Sequence, residues 1–340
     1  MEGTLPLEMK LLNSPLTGKP MKVVYEPKTM KYRGEKYDCI CASFRDDDSD
    51  ESFTTTESDS VWYNQVTNQY REKHGIPYQD EIIALRKRYG VSAAKMALIL
   101  GFGTNQYRLY EEGEVPSESN GKMIRSAMNP EVFLDLVRSS KNQLTERELS
   151  KITTQVEAVV AQSKDWNEEQ WETRRLFRTG RGLANGFAQL SVRRLNNLLL
   201  YVLGRMGETF QTKMNKALFY IDFLSYRERG FAISGLAYQA IDFGPVPQHW
   251  DRIYSAFDEV QERLQLVNGQ ECISLMACGN ADMSDFSDAE MAVIDEVCSK
   301  LRDMTSRAVS ELSHEESAWK EHVGKPETIP FSEAFSLVGM

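Results

Sequence analysis

Histidine and cysteine are scarce in this chain, at four and five among 340 residues. The histidines are scattered, so no metal-ligating spacing forms. His314-Glu315-Glu316 resembles the start of a zinc-protease helix, but position 318 is Ala318 and not a second histidine. Cys39, Cys41, Cys272, Cys278 and Cys298 are odd in number and irregular in spacing, which excludes a disulfide framework. Cys39-x-Cys41 is too tight for a zinc clamp and reads as strand. A basic excess is also missing: the net charge is −10, with 40 Lys and Arg against 50 Asp and Glu. This argues against non-specific coating of nucleic acid, but not against one local reading helix. No apolar run approaches the roughly 18 residues of a membrane helix. The first residues lack a basic-then-apolar leader. These features predict a cytoplasmic protein with no membrane partner.

Catalytic signatures are equally absent. Gly101-Phe102-Gly103 lacks the third glycine of a phosphate loop and follows a helix pattern, not a strand. The acidic run Asp46 to Glu51 lacks the spacing and the glycine of a calcium loop. No Ser or Cys sits in a nucleophile elbow, and no acid pair stands out from surface charge. The reading is a protein that is not an enzyme and has no cofactor. Hydrophobic residues at 41% nevertheless support a packed core, and the length suits two or three domains.

What is present is a helix-turn-helix pattern over Tyr89–Glu111. Ser92 can cap a first helix with Ala94, Ala97, Leu98 and Leu100 on its apolar face. Gly101 and Gly103 make the turn around Phe102. Thr104 can cap a second helix with Tyr107 and Tyr110 inside. In such motifs the second helix enters the DNA major groove. The expected DNA-binding set is Ser92, Lys95, Thr104, Asn105, Gln106 and Arg108. Asn and Gln suit adenine, and Arg suits guanine or phosphate. A helix-turn-helix kept as scaffold or dimer interface stays open as the alternative. Glu111 is expected to bond within the module.

Around this motif the predicted fold class is mainly α with a small N-terminal antiparallel β module. A helix-turn-helix domain is followed by a helical domain carrying a small β element. Strand-like pieces run from about Met9 to Ser60, and helices follow at Ser58–His74, Asp80–Tyr89, Ser119–Met128 and Glu131–Ser139. Thr145-Glu-Arg-Glu148 is a capping box opening a helix to Ser163. Trp166 to Arg181 is charged, and Gly180, Gly182 and Gly186 mark a junction. Beyond it, Leu236 to Phe243 reads as a strand stopped by Gly244-Pro245-Val246-Pro247. Trp250 to Arg263 reads as helix, and Leu266 to Leu275 as a hairpin around Asn268-Gly269. The expected domains are a β module at 1–60, a DNA-binding domain at 61–140, a helical linker at 141–186 and a C-terminal domain at 187–340.

Several blocks carry resemblances. Ser14-Pro-Leu-Thr-Gly-Lys19, Phe53-Thr-Thr-Thr-Glu57, Asn64-Gln-Val66, Tyr70-Arg-Glu-Lys73 and the run Gly90 to Pro116 make the N-terminal half resemble the MqsA-like, zinc-finger/helix-turn-helix antitoxins. Ser14 and Thr17 stand where that group carries knuckle cysteines. Neither replaces a thiolate, so no zinc is expected here. The C-terminal half resembles the Panacea, or SocA-like, antitoxin domain. The matching blocks are Thr212-Lys-Met-Asn-Lys216, Leu218-Phe-Tyr-Ile-Asp222, Ile233-Ser-Gly235, Tyr238-Gln-Ala240, Phe243-Gly-Pro-Val-Pro247, Ser313-His-Glu-Glu316 with Trp319, and Ile329 to Phe335.

The resemblance implies an antitoxin that binds a cognate toxin protein and, through the helix-turn-helix, its own operator DNA. Phage defence is the setting it implies. A homodimer is left open, and a stand-alone transcriptional regulator or a protease adaptor is the alternative. The expected toxin-binding set is Lys213, Asn215, Lys216, Tyr220 and Asp222, with Gly244, Pro245, Val246 and Pro247 as a rigid exposed turn. A solvated helix terminus explains the polar start at Lys213–Lys216 as well, and a structural corner explains the turn as well.

Overall fold

The computed structural model describes residues 12–162, 171–177, 179–267 and 269–340. The expected β stretch at Met9–Leu11, Ser163 at the end of its helix, residues 166–170 and Arg178 of the charged segment, and Asn268 of the hairpin lie outside them. The fold is mainly α with small antiparallel sheets. The chain divides into two compact units, residues 1–66 with 173–340, and residues 67–172.

The first unit begins with a hairpin of β1 (Lys22–Tyr32) and β2 (Glu35–Asp46), turned at Arg33 and Gly34, both at positive φ. β3 (Glu51–Phe53) pairs on β2 with Phe44 opposite Phe53. Ala42, Phe44 and Val61 form the core of this module, and Tyr25 and Phe335 pack against it with rings 5.4 Å apart. The β module therefore joins the C-terminal half, which the sequence-based division at 1–60 and 187–340 did not anticipate. Val61 comes from α1 (Thr56–His74). Gln65 on the same helix brackets Ile40 of β2: its Oε1 accepts the Ile40 N–H at 3.0 Å and its Nε2 donates to the Ile40 carbonyl at 2.9 Å. The stretch Gly182–Gly186 is packed and not an open junction. Asn185 Oδ1 accepts the Gly182 N–H at 3.0 Å, and the Gly186 carbonyl accepts the Ala232 N–H at 2.9 Å.

The C-terminal part of this unit is built round two helices, α8 (Val192–Met206) and α9 (Gln211–Arg229). A three-stranded sheet has the order β4 (Thr209–Phe210), β8 (Gln270–Ala277), β7 (Val260–Val267). A two-stranded sheet joins β5 (Tyr238–Ile241) to β6 (Gly244–Pro247). α10 (Asp288–Leu301), α11 (Ser306–His314), α12 (Ser317–Lys320) and a 3-10 turn at Phe331–Ser336 complete it. Two expectations fail here. Trp250–Arg263 is a turn, a 3-10 segment at Tyr254–Ala256 and the first half of β7, because Val260 starts a strand paired residue by residue with β8. Gly244–Pro247 does not end the sheet but forms its second strand.

In the second unit, α2 (Gln79–Tyr89), α3 (Ala93–Ile99), α4 (Gln106–Glu111), α5 (Glu118–Ala127), α6 (Pro130–Ser139) and α7 (Glu146–Ala161) share one core. Tyr89 stacks on Phe133 at 4.1 Å, and the Tyr107 hydroxyl donates to the Ile82 carbonyl at 2.8 Å. The capping box at Thr145 forms as expected. α7, placed by sequence in a linker, gives Ile152 and Val156 to this core.

Hydrogen bonds occupy the place of the knuckle. Ser14 Oγ accepts the N–H groups of Leu16 and Thr17, and the Thr17 hydroxyl donates to buried Asp46 at 2.8 Å. Hydrogen bonds from Ser14 and Thr17 hold the Asp46 carboxyl well below the usual carboxylate range. A depressed carboxyl stabilises fully above its unfolded value of about 3.9 and loses that effect as pH falls further. Asp46→Ala is expected to lower the melting temperature and expose the loop before β1 to protease. A chelator should leave wild-type melting unchanged. Chelator-sensitive melting, with about one zinc per chain by elemental analysis, would refute this account.

Candidate functional sites

α3 and α4 are joined by a turn over Leu100–Asn105, with Gly101 at φ 74°. Ser92 caps α3 as expected, accepting the Lys95 N–H. Thr104 does not cap α4. That position falls to Asn105, whose side chain makes no capping bond, so the Asn105 side chain is left to solvent. Thr104, Asn105 and Arg108 are exposed together. Three neighbours are engaged within the unit. Gln106 donates to Glu114 at 2.9 Å, Lys95 pairs with Glu148 at 2.8 Å, and Arg108 lies 3.5 Å from Glu112. Glu111 turns inward to Arg86 at 2.6 Å, so it does not oppose a phosphate. An exposed Asn-x-x-Arg pair at the start of a short helix can reach base edges or phosphates.

α9 is buried almost from end to end. It closes on Gly230 in the left-handed region, where a Cβ would meet Asn64 Cβ and the Val61 carbonyl at 2.9 Å. Phe219, Phe223, Tyr238 and Phe331 pack as one aromatic cluster, with Phe223 and Phe331 stacked at 4.6 Å. The polar side chains of α9 are buried with it, and most of them are bonded to other segments. Lys213 Nζ donates to the carbonyls of Arg302 at 2.9 Å and Met304 at 2.8 Å. Asn215 Oδ1 accepts the Tyr254 hydroxyl at 2.5 Å. The Tyr220 hydroxyl donates to Glu316 at 3.0 Å, and Glu316 accepts the N–H groups of Val338 and Gly339. Asp222 accepts the N–H groups of Ile233 and Ser234 at 2.8 Å, the Tyr238 hydroxyl at 2.5 Å and the Ser234 hydroxyl. Burial raises the Asp222 carboxyl while these donors act to lower it.

The expectation that Lys213, Asn215, Lys216, Tyr220, Asp222 and Gly244–Pro247 present a surface is therefore corrected. All are buried, the Gly-Pro-Val-Pro segment as strand β6. What the sequence suggested as a charged helix start is a set of internal ties. Sequence reasoning placed Glu316 and Tyr238 in matching blocks but gave them no role, since their roles depend on contacts with α9 from distant segments.

Lys216 is the exception within α9. Its Nζ has no hydrogen-bond partner among the described residues and no exposure. Gly244 lies directly over it, at φ 103°; a Cβ there would sit 2.6 Å from Lys216 Cε and 2.7 Å from Ser313 Oγ. Burial pushes the ammonium down to about 7. His314 lies near enough that the lysine charge helps to lower its imidazole, behind the larger effect of burial. His314 stacks on Trp319, at 4.0 Å, and Trp319 Nε1 donates to the Ile241 carbonyl.

Residues 214–320 match the model of the family described as Antitoxin SocA-like, Panacea domain. The match begins on α9 and ends on α12, so it covers the helix whose buried polar groups tie this part together. No curated protein and no solved structure matches the chain.

A lysine whose folded value falls from 10.5 to about 7 destabilises fully below that folded value, and the cost fades as pH rises toward the unfolded value. Stability should therefore rise with pH between about 7 and 9. Lys216→Met is expected to raise stability at pH 7 by about 1–4 kcal/mol, since it removes a buried unpaired charge. It should also flatten that rise. Urea unfolding at pH 7, 8 and 9 measures both, and parallel pH slopes for wild type and variant would sink the assignment.

Proposed function

We propose that the chain is the antitoxin of a toxin–antitoxin pair in the cytoplasm. It would neutralise a cognate toxin by direct binding through the C-terminal half and repress its own operon through α3, the turn and α4. The observation that carries this reading is the SocA-like Panacea match over residues 214–320. Inhibition would be stoichiometric, with no catalytic step. Among the described residues no helix is long and apolar enough to cross a membrane, which agrees with a partner met in solution. Phage defence is the setting that the family resemblance suggests.

The operator half of the proposal rests on the two-helix geometry and on the likeness of the N-terminal half to MqsA-like antitoxins. Thr104, Asn105 and Arg108 would read bases, because their side chains are exposed. Ser92 would serve mainly as the cap of α3. Lys95, Gln106 and Arg108 would have to leave Glu148, Glu114 and Glu112 to join the contact. A palindromic operator would bring two copies of the chain together. A stand-alone regulator and a protease adaptor are the rival readings.

Growth rescue on co-expression with the adjacent gene, together with co-purification of its product, tests the antitoxin reading. An adjacent product that is harmless alone would favour the stand-alone regulator. Rescue that vanishes in a protease-deficient host would favour the adaptor. For the operator, Asn105→Ala and Arg108→Ala are each expected to cost about 1–3 kcal/mol on the chain's own promoter fragment. Mobility shift against a scrambled fragment would check this. Equal loss on both fragments would reduce the contact to phosphate, and no loss on either would remove α4 from the interface.

A further inference from the structure

Among the described residues the strand edges are guarded, β7 least of all. An unpaired edge is a template for another strand, and folded proteins blunt it with lysine, proline, short length or cover. β1 carries Lys22, Lys28, Lys31 and Pro27. β3 and β4 are only three and two residues long. β6 carries Pro245 and Pro247. β5 is covered: its Tyr238 carbonyl accepts the Ile329 N–H at 2.8 Å and its Ile241 carbonyl accepts Trp319 Nε1 at 2.7 Å. β7 is the least guarded, its charged side chains being Glu262 and Arg263. It is eight residues long, lies at the edge of its sheet, pairs with β8 in unbroken register and holds neither lysine nor proline.

The open edge is also apolar where it should be polar. Leu264 and Leu266 are 68% and 75% exposed. They share one face with Glu262 on β7 and with Ile273 and Glu271 opposite on β8. The Glu259 and Arg263 carbonyls point toward β8, accepting from Cys278 N–H and the Ser274 hydroxyl. By the alternation of an antiparallel pair, the backbone groups of Glu262, Leu264 and Leu266 point outward. The residues with free backbone groups are thus the ones with the exposed side chains. Glu262 and Glu271 are exposed and have no ion-pair partner among the described residues, and no cation shares their face.

We propose that β7 is the edge on which the toxin docks, as an extended segment that adds a fourth strand to the β4-β8-β7 sheet. Its apolar side chains cover Leu264 and Leu266, and a Lys or Arg beside them meets Glu262 and Glu271. Main-chain hydrogen bonds supply affinity in this mode, and the alternate side chains supply selectivity. The assignment rests on the antitoxin reading, and it places the contact at an open edge, away from the buried polar groups of α9.

The probe is the product of the adjacent gene, titrated against the full chain and three variants. L264K/L266K adds the missing guard charges. L264P removes one outward N–H without touching a ladder bond. E262K/E271K reverses the flanking charge at two exposed positions. Thermal melting and circular dichroism check that each variant is folded. The expected result is binding weaker by tenfold or more in each folded variant, with wild-type binding falling as salt rises. Wild-type binding matched within threefold by E262K/E271K and by either Leu264 variant overturns the edge and leaves the antitoxin reading intact. A wild type that binds nothing overturns the antitoxin reading, and the docking assignment with it. Sedimentation showing a wild-type dimer and a monomeric L264K/L266K assigns the edge to a second copy of this chain and overturns the toxin as its occupant.

Discussion

Removing a helix from water with its polar side chains attached sets the terms for the C-terminal half. A buried donor or acceptor without a partner costs about 1–3 kcal/mol, whereas a satisfied hydrogen bond contributes about 0.5–1.5 kcal/mol net. α9 answers this by reaching out of its own element. Asp222 collects the backbone of Ile233 and Ser234 and the hydroxyl of Tyr238. Lys213 holds the carbonyls that follow α10, and Asn215 holds Tyr254. Glu316, itself buried, joins Tyr220 to the backbone at Val338 and Gly339. Segments with little regular structure of their own are fixed by side chains of one helix. Deleting any of these groups would leave its partners unanswered in the core, so the segments they tie are energetically coupled.

The same logic separates scaffold from contact surface. In the first unit most of the polar residues of α9 are spent internally, while Leu264 and Leu266 of β7 are among the large hydrophobics left at the surface. In the second unit the acidic residues near α4 are mostly turned to internal partners: Glu111 to Arg86, Glu114 to Gln106 and Glu148 to Lys95. An acidic chain can thereby present a locally neutral surface around α4. Net charge describes the whole molecule; these pairings decide the potential that a phosphate would meet.

Legibility followed periodicity. α2, α3, α5, α6 and α7 could be read because each buries one face and carries a recognisable boundary residue, such as Ser92 or Thr145. α9 was located but its character was misjudged. A helix buried on every side has no polar face, so Lys213, Asn215, Lys216 and Asp222 look in sequence like solvated surface. The first half of β7 was misread as helix because Ile253, Phe257 and Val260 repeat at helical spacing, whereas its end at Leu266 and Val267 fell within the expected hairpin. The joining of the β module to the C-terminal half depends on Tyr25 meeting Phe335 and on Asn64 donating to the Arg229 carbonyl. Contacts at such separations leave no local trace in sequence.

That long-range pairing has a consequence for how the chain is made. Residues 12–66 are synthesised first, yet they belong to a unit whose remainder starts at Thr173. The β1–β2 hairpin has no Phe335 to pack on until translation has passed the whole intervening unit. At about 5–20 residues per second, that delay lasts on the order of 15–60 seconds. The second unit, continuous in sequence, is free to fold within that interval. A nascent chain would thus hold a folded second unit before it held a completed first one, and its early strands would stay open to proteases and chaperones in the meantime.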